Sequence, residues 1–125
     1  MIDKLHTVVK LEAAHRVPNH EGKCKYLHGH SWKVYIDVEG GVCQDDKDPS
    51  YGMVIDFSKV KDVVFQYDHD YFNEPQRGQT KIENPTAENL AEHFATLIND
   101  LSPRISSVRV RVEETTDSWA EVEIP

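Results

Sequence analysis

Cysteine is scarce. The chain of 125 residues has two, Cys24 and Cys43, and no Cys-x-x-Cys pair. A structural zinc knot, usually closed by four ligands rich in cysteine, is therefore disfavoured. Positive charge is also short: 14 Lys and Arg stand against 22 Asp and Glu, a formal net charge of −8. Non-specific binding to a phosphate backbone needs a basic face, so nucleic acid is not an expected partner. No apolar run approaches the about 18–20 residues of a membrane-spanning helix, so no membrane partner is expected either. The opening stretch MIDKLHTVVKLEAAH is interrupted by Asp3, His6, Lys10 and Glu12. It lacks the apolar core of a signal peptide, so a cytoplasmic location and reduced thiols are expected. No repeat, low-complexity tract or linker breaks the chain, and residues 1–125 read as a single domain. Its 38% hydrophobic and 29% charged residues suit a globular protein with a modest core that oligomerisation could extend.

What is present is periodic. Residues 5–15 are rich in Val and Leu and read as a strand. Residues 30–39 alternate, with His30, Trp32, Val34, Ile36 and Val38 on one face and Ser31, Lys33, Tyr35, Asp37 and Glu39 on the other. A Gly-, Asp- and Pro-rich loop follows. DFSKVKDVVFQY predicts a helix with Phe57, Val60 and Val64 on its apolar stripe and Asp56 or Ser58 as cap. Thr86 is placed to cap a second helix whose stripe is Leu90, Phe94, Leu97, Ile98 and Leu101, ended by Pro103. Val108, Val110 and Val112 then alternate with Arg109, Arg111 and Glu113, and SWAEVEIP closes the chain as a short strand. The order ββααββ predicts an α+β domain: one four-stranded antiparallel sheet with both helices on one face.

Several groups break these patterns. His28 and His30, at i and i+2, share the apolar face of their strand, with Gly29 leaving room between them. His15 ends the first strand. If the two strands pair, it meets the other two, and three imidazoles with an open fourth position make a catalytic zinc site. The plainer alternative is three hydrogen-bonded histidines. Cys24 reads as a fourth ligand, which would close the site, or as a thiolate favoured by Lys23 and Lys25, or as a structural thiol; Cys43 fits the last role better. Asp68 and His69 are neighbours that could form a hydrogen-bonded proton-transfer pair. Glu114 stands where alternation asks for a hydrophobe. It would bind a ligand edge offering two donors, or simply reach water. Arg16, Lys23, Lys25 and Lys33 are either a local patch for a phosphorylated ligand or scattered solvated charge.

Taken together, EAAHR, CKYLHGH, GMVIDFSKVK, YDHDYFN, NPTAENLA and VEETTDSWA run in one order over nearly the whole chain. In this the sequence resembles the 6-pyruvoyl-tetrahydropterin synthase and 6-carboxytetrahydropterin synthase family. The resemblance implies a tunnelling fold, whose sheets join between subunits into a β-barrel, commonly in a homo-hexamer with active sites between subunits. It implies His15, His28 and His30 as ligands of Zn2+, Cys24 as catalytic thiol with Asp68 and His69 as acid–base partners, and Glu114 as the anchor of the pterin. Thr86 would line the pterin pocket, and Arg16 with nearby lysines would receive a triphosphate. Tyr67 and Phe72 stand where the family usually has leucine, a difference expected to alter packing. The spacing Cys24-x-x-x-His28 looks like the 6-carboxy branch, which implies a lyase acting on 7,8-dihydroneopterin triphosphate on the route to queuosine and other 7-deazaguanines. The competing expectations are the pyruvoyl-forming reaction and a non-catalytic zinc- or pterin-binding module.

Overall fold

The computed structural model describes residues 1–125. The alternating stretches form long strands: β1 (Asp3–His15), β2 (His28–Gly40), β4 (Ile105–Thr115) and β5 (Ser118–Ile124). Between β2 and β4 lie α1 (Phe57–Phe65), a two-residue β3 (Asp70–Tyr71) and α2 (Ala87–Asn99). Across the sheet the order is β3-β1-β2-β4-β5. The four long strands pair antiparallel, as expected, whereas β3 runs parallel to β1 through Ala13↔Asp70 and Ala14↔Tyr71. This fifth strand adds to the expected four. Two residues are too few to show an alternation, so the sequence pattern does not reveal it.

One face of the sheet is the core. Val9, Leu11, Trp32, Val34, Ile36, Val38, Val108, Val110 and Val112 are buried there, with α2 over β4 and β5 and α1 over β1. Each large apolar side chain fully buried stabilises the fold by about 1.5–3 kcal/mol relative to exposure. The opposite face is polar and carries Lys4–Glu39, His6–Asp37 and Arg109–Glu123 pairs. On it, the Arg111 guanidinium lies 4.1 Å from the centre of the Tyr35 ring and 5.1 Å from that of Trp119.

The helices are seated somewhat differently from the expected stripes. Asp56 caps α1, its Oδ1 accepting from the Ser58 amide at 2.9 Å. Val60 and Val64 are buried, but Phe57, in the first turn, stays 47% exposed. Thr86 caps α2 as expected, accepting from the Asn89 amide at 3.1 Å. The buried line is Leu90, Phe94 and Ile98 flanked by Ala87, Ala91 and Ala95, while Leu97 and Leu101 are 37% and 39% exposed. The three alanines let the helix approach the sheet closely, which turns the stripe toward them and away from the two leucines. The helix also ends at Asn99, before Leu101 and well before Pro103.

Candidate active site

Strand pairing builds the centre of the site. In the β1–β2 ladder His15 sits opposite His28 and Ala13 opposite His30, so the three imidazoles gather on the core face at one end of the sheet. Their ring centres are 4.6, 4.9 and 5.2 Å apart. Trp32 lies under them, its ring 4.9 Å from His15 and 5.2 Å from His30, and its Nε1–H donates to the Ala13 carbonyl at 3.0 Å. Glu114 continues the apolar face of β4, next to a register shift between Glu113 and Thr115, and its Oε1 lies 3.0 Å from His30 Nε2 and 3.8 Å from His15 Nε2. Gly29, by contrast, is not needed to relieve crowding: an added Cβ would meet the Ala13 carbonyl oxygen at 3.6 Å, an ordinary contact.

Hydrogen bonds fix the tautomers of two of the three histidines. A carbonyl only accepts, so His15 Nδ1–H donates to the Pro85 oxygen and His28 Nδ1–H to the Tyr26 oxygen, each at 2.7 Å. In the neutral rings both Nε2 atoms then bear lone pairs, yet they face each other at 3.0 Å. His30 Nε2 is buried without a hydrogen bond of acceptable geometry despite its short contact with Glu114. Burial depresses the pKa values of His15 and His30, partly opposed by Glu114, which favours the unprotonated form that binds metals. One ligand atom from each of His15, His28, His30 and Glu114 lies within 4.8 Å of the others. Two nitrogens sharing a tetrahedral zinc at about 2.0–2.1 Å would be roughly 3.4 Å apart, close to this spacing. Converging lone pairs and an orphaned buried nitrogen are the environment a divalent cation satisfies, so the residues fit one. The carbonyls of Pro85 and Tyr26, which orient the His15 and His28 rings as second partners commonly do for histidines at metal sites, leave no mark in the sequence because a backbone oxygen carries no residue signature.

Asp68 and His69 form the expected pair. Asp68 Oδ2 accepts from His69 Nδ1–H at 2.8 Å, and its Oδ1 accepts from the Glu12 amide at 2.9 Å. The Glu12 bond, with smaller help from His69, lowers the Asp68 pKa and keeps the carboxylate charged. The His69 ring is exposed, with 75% of its side chain accessible. A cleft of about 500 Å3 has both His30 and His69 in its wall.

The remaining candidates are more dispersed. Cys24 is half-buried in a short 3-10 turn, Lys23–Lys25, and its thiol joins neither the triad nor the Asp–His pair within the chain. Neither Cys24 nor Glu114 lines the cleft. Cys43 is buried and bonded through its backbone to Met53 and Gly52, a structural position. Arg16 is exposed beside the triad, its backbone held on both sides by the buried Asn73 amide. Lys23 and Lys25 are exposed on the same connection, but Lys33 belongs to the polar face of β2, opposite the histidines. Of the two alternatives left open for these four residues, a local patch would have to do without Lys33. Asn73, which the sequence reading passed over, ties that connection to the Glu83 carbonyl as well.

Comparison with known proteins shows the family and the fold. The family model described as 6-pyruvoyl tetrahydropterin synthase matches residues 4–125. Over 105 residues the chain is 38% identical to the 6-carboxy-5,6,7,8-tetrahydropterin synthase of Synechocystis sp., covering 79% of this chain and 78% of that one. It is 32% identical over 117 residues to the protein of the same name from Rickettsia felis, covering 78% of each. The solved structure of the Caenorhabditis elegans 6-pyruvoyl tetrahydropterin synthase superposes with a TM-score of 0.69 at 23% identity, over 100% of this chain and 97% of that one. The chain belongs to the 6-pyruvoyl tetrahydropterin synthase family, a family of pterin synthases, and has its tunnelling fold. No helix is long and apolar enough to cross a membrane.

Proposed function

We propose that this chain is a 6-carboxy-5,6,7,8-tetrahydropterin synthase. It would convert 7,8-dihydroneopterin triphosphate and one water to 6-carboxytetrahydropterin, acetaldehyde and triphosphate, in the cytoplasm, on the route to queuosine and other 7-deazaguanines. The observation that carries the reading is the gathering of His15, His28 and His30 on one buried face, in a chain whose curated relatives bear the 6-carboxy name.

In this reading the three imidazoles hold zinc. When bound, zinc supplies a fixed positive charge that lowers the pKa of substrate hydroxyls and favours negative charge developing beside them. Glu114 anchors the pterin by accepting from its 2-amino group and N3–H with two carboxylate oxygens, which turns binding into orientation. The Cys24 thiolate removes a proton from a side-chain carbon, and His69, oriented by Asp68, returns protons. The separation of Cys24 from the Asp–His pair within one chain supports sites completed between subunits, in a homo-hexamer whose sheets close into a barrel. Arg16 would meet the triphosphate. Thr86 would line the pterin pocket; its oxygen accepts from Asn89, which leaves its O–H free to donate.

The name of the matching family model favours one second reading, elimination of triphosphate to a 6-pyruvoyl product. Incubation with 7,8-dihydroneopterin triphosphate separates the two. Acetaldehyde released in step with triphosphate supports the 6-carboxy reaction, and triphosphate without acetaldehyde replaces it with the pyruvoyl one.

A further inference from the structure

His69 has φ of 58°, the only residue other than glycine with positive φ in the chain. A side chain with a Cβ resists this left-handed region, at a cost of the order of 1–3 kcal/mol, and persists there only where the surroundings over-determine it. On one side the restraint comes from β1: the His69 amide donates to the Glu12 carbonyl at 2.6 Å, and the Glu12 amide donates to Asp68. On the other side stands a second network, which the proposed chemistry does not use.

That network centres on Asp70, whose side chain is only 3% exposed. Its Oδ1 accepts from the amides of Tyr71 at 2.8 Å and Gln76 at 3.1 Å, and its Oδ2 from the Gln79 side chain at 2.7 Å. Arg77 Nη2 lies 3.5 Å from the same Oδ2 and donates at 2.9 Å to the carbonyls of Gln66 and Asp68. The peptide groups on both sides of His69 are thus gripped: the Asp68 carbonyl by Arg77, and residue 70 through its own buried carboxylate. A buried carboxylate with four donors around it is costly to leave half-satisfied, so the network acts as a unit.

We infer that Asp70 and Arg77 are positioning residues that hold His69 in its left-handed conformation and aim its ring, through Asp68, at the substrate cleft. The inference rests on the reading of Asp68 and His69 as the proton-transfer pair. Arg77 lies outside the cleft wall, and Asp70, which borders the cleft, has its carboxylate taken up by its four donors; both act through His69.

The test is nuclear magnetic resonance of the zinc-loaded, 15N-histidine-labelled protein, comparing the native chain with Arg77→Met and Asp70→Asn. In the native chain His69 is expected as the Nδ1–H tautomer, fixed by Asp68, whereas a free imidazole prefers Nε2–H. Arg77→Met is expected to shift His69 toward the averaged or Nε2–H form and to move the φ of residue 69 reported by backbone shifts. The resonances of His15 and His28 should stay in place. In turnover with dihydroneopterin triphosphate, kcat should fall about tenfold or more with KM within about twofold, and Arg77→Lys should recover part of the loss. Unchanged His69 resonances and φ in Arg77→Met overturn the inference, and this variant decides even if Asp70→Asn does not fold. If the native chain shows no turnover while Arg77→Met still moves His69, the reading of the reaction fails and the positioning role stands.

Discussion

His15 and His28 point their Nε2 atoms at each other across 3.0 Å while the Nδ1–H of each donates to a backbone carbonyl. Two lone pairs held face to face by the fold need a proton or a cation between them. Zinc is therefore expected to bind near one equivalent per chain and to stabilise the protein. At free zinc 100-fold above its dissociation constant the gain is about 2.7 kcal/mol, read as a rise in Tm. A chelator should lower Tm without abolishing the fold, because the core of 24 buried apolar residues does not include the triad. Scanning calorimetry with and without chelator, alongside far-UV circular dichroism, measures both.

Cys24 and Glu114 are distinguished by what their removal leaves behind. Cys24→Ala is expected to lower kcat by about 100-fold or more, with zinc content unchanged by metal analysis. Loss of zinc with activity restored in zinc-supplemented buffer would make the thiol a ligand instead. Glu114→Gln keeps the shape but removes the charge. It is expected to raise KM for the pterin substrate by about 10- to 100-fold, the scale of about 1.5–3 kcal/mol for a charge-assisted hydrogen bond. Its proximity to His30 gives the alternative outcome a clear form: if zinc affinity rather than KM changes, the carboxylate serves the metal.

Burial holds the pKa of His93 below its ordinary 6.5. Between its folded value and 6.5 the unfolded chain binds the extra proton, so stability is fully present above pH 6.5 and falls as pH drops toward the folded value. His93→Gln removes this contribution. Between pH 7.5 and 5.5, in urea titrations, the native chain should lose more stability than the variant. The difference should not exceed about 1.4 kcal/mol per pH unit. Equal slopes would contradict the burial argument. The triad histidines are common to both proteins and cancel.

Gly40 ends β2 against the neighbouring connection. A Cβ there would stand 2.3 Å from the Arg104 carbonyl oxygen and 2.8 Å from Val54 Cγ1. The carbonyl belongs to the backbone and cannot turn aside. Gly40→Ala is expected to destabilise the fold by about 1–3 kcal/mol, seen as a lower urea midpoint with an unchanged slope.

Much of this architecture was legible because alternation is a local property. His28, His30 and Trp32 declare their shared face by spacing alone, and His15 joins them once β1 and β2 pair. The α2 stripe was less legible: Leu97 and Leu101 look like core, but Ala87, Ala91 and Ala95 decide how the helix sits, and alanine carries little signal by itself. The two-residue β3 and the carbonyls of Pro85 and Tyr26 were hidden because backbone groups leave no mark in a residue pattern. Glu114 was recognisable as an exception to alternation, but its closeness to His30 follows from the β2–β4 register, which a single sequence does not specify. Likewise, the strain at His69 and its support by Asp70 and Arg77 depend on residues brought together only by the turn after α1.

Zinc titration of the metal-free protein in the presence of 7,8-dihydroneopterin triphosphate, with acetaldehyde as the readout, joins the triad to the chemistry most directly. The account predicts no acetaldehyde without metal, a rise proportional to added zinc up to one equivalent per chain, and no rise in His28→Ala at the same zinc concentrations. Acetaldehyde formed by the metal-free protein, or equally by His28→Ala, would contradict it.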